Sequence, residues 1–357
     1  MKTIGIVAEF NPFHNGHQYL IDTAKKALGA ECVVAVMSGN FTQRGEIASF
    51  DMYSRADVAS RNGVDLILEI PPQFVLNSAQ YYAYYSVYIL EQLGCIDYLV
   101  FGSECGDLSQ LQALQNPDRQ TLKIRMKTGI TYAKAISDSH LLNSANNILA
   151  KEYLSALQTL HSDMIPFTVK RIGVSHNEKN PNGAFASASY LRQKIRSKVD
   201  ISQYLPEIPN GTPISENCIL PILKYKLASA SEDEMMAINN ITEGLHRRMK
   251  AAREQDIFEE LIGAIKCKRY PETRIRRALY CLLLDMKKFD ELPSYTRVLA
   301  FSNRGKTLLR TMKKTALLPL FSRITQKDIR NHEQLRQELF ANEIFSLIQN
   351  LSRKEVN

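Results

Sequence analysis

His14 and His17 stand three residues apart, with Gly16 between them, in the string Asn11-Pro-Phe-His-Asn-Gly-His17. Imidazole N–H groups are donors that can follow a phosphate as its charge changes. A glycine lets backbone approach a ligand without a Cβ in the way. Anion handling is therefore the chemistry these residue types and this spacing suggest. Two other readings stay open from the residues alone. One is an ordinary turn histidine followed by a helix-capping histidine. The other is a metal pair, because i,i+3 spacing can share a ligand, but no third ligand lies nearby and no metal is assigned.

The elements around this string are suited to position it. Ile4 to Phe10 is a short apolar run rich in β-branched residues, which predicts a buried strand. Asn11 and Pro12 stop it, since proline has no N–H for the ladder. From Gln18 the period changes: Leu20, Ile21, Ala24, Ala27 and Leu28 share a helical face, and Gly29 fits a C-cap. A strand, a tight turn and a helix N-terminus leave free N–H groups and the positive end of the helix dipole above the strand's carboxyl end.

Short strands and helices then alternate. Strands are expected at Cys32–Met37, Val64–Ile70 and Asp97–Phe101, and a further one at 167–173. Asp51 is expected to cap a helix through about Arg61, Ser78 to open one through Leu93, and Asn146 or Asn147 to cap the helix carrying Leu149, Tyr153 and Leu157. Ser187 or Ser189 caps a helix running past Arg192, after a polar loop over 174–186. This alternation predicts an α/β fold with a doubly wound parallel sheet. The loops after the strands (11–17, 38–46, 71–78, 102–107) then face one crevice, where ligands bind at the switch point. Pro206, Pro209, Gly211 and Pro213 mark a boundary. The expected organisation is a catalytic domain over 1–200, a linker over 201–230 and a mainly α-helical domain over 231–357.

At 357 residues, with 45% hydrophobic and 23% charged residues, the chain has the composition of a soluble globular protein of two domains. No apolar run is long enough to span a bilayer, and a core strand follows Thr3 directly, so no signal peptide or membrane segment is expected. Six scattered cysteines without a CxxC pair fit a reducing cytoplasm rather than a zinc site or disulfide framework. The net charge of +8 is uneven. Residues 1–230 carry 21 basic and 20 acidic side chains, and residues 261–330 carry 17 against 5. A nearly neutral first part and a basic second part suggest a polyanionic partner for the second. A solvated helical surface is the plainer alternative.

The string Gly5-Ile-Val-Ala-Glu-Phe-Asn-Pro-Phe-His-Asn-Gly-His17 resembles the HxGH signature of the nucleotidyltransferase superfamily, and most closely that of the bacterial tRNA(Met) cytidine acetate ligases. Phe185-Ala-Ser-Ala-Ser-Tyr-Leu-Arg192 resembles a degenerate form of the superfamily's second signature, and the loop Ser38-Gly-Asn-Phe-Thr-Gln-Arg-Gly-Glu46 is similar to the family's second loop. That pattern continues into an Asp-Lys pair, where this chain has Asp51-Met52. The resemblance implies ATP-dependent acetylation of N4 of the wobble cytidine in elongator tRNA(Met), through acetyl-adenylate, with acetate as co-substrate and Mg²⁺ accompanying ATP. It implies His14 and His17 as catalytic residues. ATP binding would fall to Val7, Ala8, Glu9, Phe10, Asn11, Pro12, Phe13, His14, Asn15, Gly16 and His17. Gly102, Ser103, Asn146, Asn147, Arg171, Ile172, Ser187, Ser189 and Arg192 would join them.

In the second part, Glu243-Gly-Leu-His-Arg-Arg248, Cys267-Lys-Arg-Tyr-Pro-Glu-Thr-Arg-Ile-Arg-Arg277 and Ser302-Asn-Arg-Gly-Lys306 are the distinctive strings. Lys268, Arg269, Arg274, Arg276 and Arg277 can contact phosphates, and Tyr270 can stack on a base. The rival reading is a small-molecule nucleotidyltransferase acting on a metabolite. The basic helical part weighs against it, since a metabolite needs no such surface.

Overall fold

The computed structural model describes residues 1–114, 124, 140–172, 181–211, 213–242 and 244–356. Seven strands form one sheet in the order β5-β4-β1-β2-β3-β6-β7. The strands are β1 (Thr3–Ala8), β2 (Cys32–Ser38), β3 (Leu66–Ile70), β4 (Tyr98–Ser103), β5 (Ile165–Lys170), β6 (Thr296–Phe301) and β7 (Leu320–Phe321). β1 to β5 are parallel, as the alternating pattern predicts. The chain steps from β1 outward to β2 and β3, then returns to β4 on the other side of β1. The crevice at this reversal opens beyond the carboxyl ends of β1 and β4.

Every residue of β2 is buried, because helices cover both faces. Alternate side chains divide between two cores. Cys32, Val34 and Val36 join Leu66, Leu68 and the helices Ala79–Glu91 and Ala145–Leu160. Val33, Ala35 and Met37 join Ile4, Ile6 and the helices Asn15–Leu28 and Met52–Arg61. Gly29 ends the first helix in the left-handed conformation, and Asp51 Oδ1 caps the second by accepting from the N–H groups of Tyr53 and Ser54.

Three expectations are corrected. The region after 231 is not helical throughout: β6 pairs antiparallel with β3, and β7 extends the sheet beyond it. Without β6, the five buried residues of β3 would present an open edge. The sheet thus draws on residues from both sides of the expected boundaries at 200 and 231. The segment expected as a linker is packed rather than free. Ile201, Tyr204 and Leu205 bury against Leu191 and Ile195, while Cys218, Leu220, Leu223 and Leu227 enter the helical core. Ser144, not Asn146 or Asn147, is the N-cap of the helix Ala145–Leu160. No described helix is long and apolar enough to cross a membrane.

Residues 214–286 and the last helix, Glu333–Val356, enclose a separate core of Leu223, Leu245, Leu261, Ile275, Leu279 and Phe345. Phe41, from the loop after β2, is inserted into it, with its ring 5.7 Å from Tyr280 and 6.3 Å from Phe345.

Candidate active site

The turn between β1 and the first helix is built by its two imidazoles. His14 is the N-cap, and its Nδ1 accepts from the Gly16 N–H at 3.1 Å. The His14 N–H donates to Nδ1 of His17 at 3.2 Å. This is a reciprocal capping box, with imidazoles where Ser/Thr and Glu usually stand. The rings stack with centroids 3.8 Å apart. Both Nδ1 atoms accept, so in each neutral ring the proton sits on Nε2, which is left as a donor. Burial pulls the pKa of His14 down to about 3, helped by the Arg171 and Arg192 charges. Burial also holds His17 well below its ordinary value, with His14 and Arg171 adding to the effect. The site therefore offers two uncharged Nε2–H donors at neutral pH, beside the N–H groups of a helix start. The capping reading and the anion reading of these histidines are both realised in one arrangement.

Gly16 is needed first by the protein itself. A Cβ there would stand 2.9 Å from Cε1 of His14, against the folded-back ring. Gly16→Ala is expected to displace that ring and lower the rate of adenylate formation at least tenfold, about the low end for misplacing one preorganised donor. Single-turnover kinetics on the folded variant measure this, and an unchanged rate would remove His14 from the role that the resemblance implies.

Phe10 and Phe13 do not line the crevice. Both rings are buried and pack at 5.1 and 5.5 Å from His17, supporting it from below. Val7 and Ala8 end β1 partly exposed, and Pro12 is buried. Glu9 Oε1 accepts from the Gln43 N–H at 2.8 Å. Asn11 Oδ1 accepts from the Ser49 N–H at 2.8 Å. Asn15 Nδ2 reaches the carbonyls of Ala184 and Gln203 at 2.9 and 3.1 Å. Sequence reading passed over Arg55. It is fully buried, donating to the carbonyls of Phe50, Ser38, Gly39 and Glu9. It ties the ends of β1 and β2 together and places a positive charge beneath the turn.

Across the reversal, Gly102 leaves a bare surface. A Cβ would come no closer than 3.5 Å, to Arg171 Cγ, so protein packing does not demand glycine there. Ser103 is spent internally: its hydroxyl bonds Thr168 Oγ1 at 2.7 Å and accepts from the Gly106 N–H. Glu104 caps the helix Ala145–Leu160, accepting from Asn146 Nδ2 at 2.6 Å, the Asn147 N–H at 3.0 Å and Ser144 Oγ at 2.9 Å. Asn147 Oδ1 accepts in turn from the Glu104 N–H at 2.9 Å. Asn146 and Asn147 therefore hold the Gly102 turn in place. The Arg171 N–H donates to Ser103 O at 3.0 Å. Its guanidinium is largely buried, which lowers its pKa; Glu104 opposes the shift and the nearby Arg44 adds to it. Ile172 is exposed, and Gly173 lies outside the described residues.

Ser187 caps the helix Ala188–Arg196 by accepting from the Tyr190 N–H. Arg192 already has a counter-ion: its Nε lies 3.0 Å from Glu46 Oε2. It also donates to Asn11 O at 3.3 Å and Ser189 Oγ at 3.4 Å. It thus bolts the loop after β2 and this helix to the turn after β1.

The expected RNA contacts divide by burial. Lys268 and Arg269 are exposed, and Arg274 is half-buried with Nη2 on Thr242 Oγ1 at 2.9 Å. Tyr270 is buried beneath the Arg269 and Arg274 guanidinium groups, each 5.5 Å from its ring, so it has no free face for a base. Arg276 is buried among Glu216 at 3.2 Å, Glu259 at 2.5 Å and Glu272 at 3.3 Å. Arg277 is buried too, donating to Asn240 Oδ1 and Gln43 O. Arg276 and Arg277 therefore face inward with Ile275, Ala278 and Leu279, not toward solvent. Of the distinctive strings, Glu243 lies outside the described residues.

Comparison with known proteins agrees with this geometry. The HIGH Nucleotidyl Transferase family matches residues 1–357. A tRNA(Met) cytidine acetate ligase from Caldanaerobacter subterraneus is 37% identical, covering 97% of this chain and 95% of its own length. One from Acetivibrio thermocellus is 33% identical, covering 91% and 89%. The crystal structure of Thermotoga maritima TmcAL bound with alpha-thio ATP superposes with a TM-score of 0.88 at 28% identity, covering 98% of this chain and 95% of that one. With its neutral imidazole pair at the switch point and relatives matched from end to end, the chain belongs to the tRNA(Met) cytidine acetate ligase family of HIGH nucleotidyl transferases.

Proposed function

We propose that this chain acetylates N4 of the wobble cytidine of elongator tRNA(Met), using ATP to activate acetate. An acetate oxygen attacks the α-phosphorus, the bond to the bridging oxygen breaks and pyrophosphate leaves. The cytidine amine then attacks the acetyl carbonyl of acetyl-adenylate, AMP departs and the amine loses a proton. The first step asks for in-line positioning and for stabilisation of charge on phosphate oxygens. The observation that carries the reading is the stacked His14–His17 pair, whose Nε2–H donors stand beside a helix N-terminus at the switch point. His14, His17 and the turn N–H groups hold the phosphates, and Gly102 leaves room for the nucleoside. Asn147 and Arg55 act by positioning.

Among the described residues no three His, Cys, Asp or Glu side chains are grouped to hold a cation. Glu46, Glu104 and Glu9 are engaged with Arg192, a helix start and the Gln43 N–H. An ion arriving with ATP would be ligated by phosphate oxygens. A cytoplasmic location follows from a tRNA substrate and fits six free cysteines.

The test is incubation with ATP and labelled acetate, with and without tRNA(Met), followed by mass spectrometry of the nucleosides. Acetylated cytidine that requires both ATP and acetate is the expected result. ATP turnover with another small acid and no change in the RNA would overturn it in favour of a metabolite nucleotidyltransferase. Lys268→Ala with Arg269→Ala is expected to weaken tRNA binding and reduce the slope of log affinity against log salt by about 1–2, as each lost phosphate contact removes just under one. Adenylate formation without tRNA should be untouched. A slope equal to the wild type would take RNA binding away from this strip.

A further inference from the structure

The positive charge of the chain is concentrated away from Lys268 and Arg269. Residues 302–330 hold eight Lys and Arg side chains against one acidic one, Asp328, a surplus of seven beside a net charge of +8 for the whole chain. All eight are exposed, and among the described residues none has a carboxylate within ion-pair distance. Asp328 itself accepts from the Thr325 N–H and hydroxyl. Five of the eight lie on the helix Asn303–Thr315, which has no acidic residue. Its Gly305, Leu308 and Met312 are buried, and the last two join the core under β2 and β3. A Cβ on Gly305 would stand 1.8 Å from Asp65 O, so glycine is what lets the helix lie this close. At 3.6 residues per turn, Lys306, Arg310, Lys313 and Lys314 fall along one flank and Thr307, Thr311 and Thr315 along the other. Both ends are tied to residues that precede strands. Ser302 Oγ donates to Asp65 Oδ1 at 2.8 Å, and Arg304 Nη1 to Glu31 O at 3.4 Å. Thr315 Oγ1 donates to Leu93 O at 2.8 Å, and the Leu317 N–H to Gln92 O at 2.8 Å. The helix therefore lies at the amino ends of β2, β3 and β4. The His14–His17 turn stands at the other end of the sheet, roughly 20 Å away for a strand of the length of β2.

Like charges fixed on one face of a packed helix repel one another, and a polyanion relieves that repulsion. We propose that this basic flank is a docking surface for RNA phosphates, holding the body of the tRNA while the anticodon loop enters the crevice. This rests on the tRNA reading above and adds a second surface to it, apart from Lys268 and Arg269. Lys306, Arg310 and Lys313 are four and three residues apart, about 6 and 4.5 Å along the axis, which makes a row of charges for a backbone to follow. No aromatic residue lies between 302 and 320, so the flank can stack no base and contacts phosphates without reading sequence. The apolar face of the helix is buried in the core rather than free to enter a bilayer, which favours RNA over an anionic membrane surface. Because the flank and the crevice stand at opposite ends of the strands, they hold different parts of one RNA.

The test measures binding of full-length tRNA(Met) and of its isolated anticodon stem-loop over a range of salt. It compares the wild-type full chain with a triple variant, Lys306→Gln, Arg310→Gln and Lys313→Gln. The affinity for full-length tRNA should fall about tenfold or more at about 0.15 M salt, and the slope of log affinity against log salt should drop by about 2–3, just under one for each lost phosphate contact. Stem-loop affinity should stay within about twofold. Glutamine is a good helix former and the three side chains are exposed, so the melting curve and adenylate formation without RNA should match wild type. Equal tRNA affinity and slope in the variant overturn the proposal. An equal loss with the stem-loop also overturns it, since the effect then belongs to overall charge or to the crevice. Binding to phosphatidylserine vesicles that the variant loses, with tRNA affinity unchanged, gives the flank to a membrane and overturns it too. If wild type itself binds no tRNA, the tRNA reading fails as a whole. If wild type binds tRNA and the variant binds it equally, only this inference fails.

Discussion

His14→Ala and His17→Ala should each lower acetyl-adenylate formation by about 10²–10³-fold, the usual effect of removing one preorganised donor from a charge-stabilising site. The fold should survive, because only the cap of one helix is lost, about 1 kcal/mol. Single-turnover formation of adenylate and a melting curve separate the two effects. Wild-type activity in both variants would sink the assignment. The pH dependence adds a second check. His14 titrates at about 3 in the folded chain and near 6.5 unfolded. Between those values the unfolded state binds the proton that the folded state refuses. The stability it contributes is thus complete above pH 6.5 and is lost as pH falls toward 3. His17 shifts in the same direction. His14→Gln should therefore be less sensitive to acid than wild type. An identical loss of stability from pH 7 to pH 4 would contradict the buried neutral pair.

The second large effect is on folding, not on RNA. Arg276→Ala should destabilise the protein by about 3–5 kcal/mol, because it strands buried Glu216 without its main counter-charge. Glu216 also bonds the Tyr280 hydroxyl at 3.0 Å, and burial already raises its pKa despite Arg276. Without Arg276 it rises further. A carboxyl whose folded pKa lies above its unfolded one loses stability as pH climbs between the two. The deficit of Arg276→Ala should thus be larger at pH 8 than at pH 5, as read from urea midpoints. A variant as stable as wild type with weaker tRNA binding would return Arg276 to the surface role its sequence suggested. Lys268 and Arg269, only eight and seven positions earlier, should show the opposite behaviour.

The contrast explains what was legible. Strands β1 to β5 announced themselves as β-branched runs between Gly, Pro and Asn, and Asp51, Ser187 and Gly29 marked helix ends that the structure keeps. β6 was missed because Thr296-Arg-Val-Leu-Ala-Phe301 is short and set among helical patterns. Its reason to be a strand is the open edge of β3, far away in sequence. The histidines were found because a spaced pair after a strand is a local signal. Which nitrogen donates was not, since that depends on two backbone bonds. Arg276 and Arg277 read as surface charge beside Arg274, because Glu216, Glu259 and Gln43 meet them only in three dimensions. Arg55 gave no signal at all, its partners being backbone carbonyls.

The pairing of β6 with β3 also bears on how the chain is made. Ser302 reaches Asp65 Oδ1 at 2.8 Å across 237 residues of sequence. During synthesis, the apolar edge of β3 waits unpaired until nearly the whole polypeptide has left the ribosome. An unpaired buried strand recruits other chains while it waits. The two halves of this enzyme therefore cannot mature one after the other. A nascent chain stalled before residue 296 should depend on chaperones to stay in solution, whereas one released at its last helix should not.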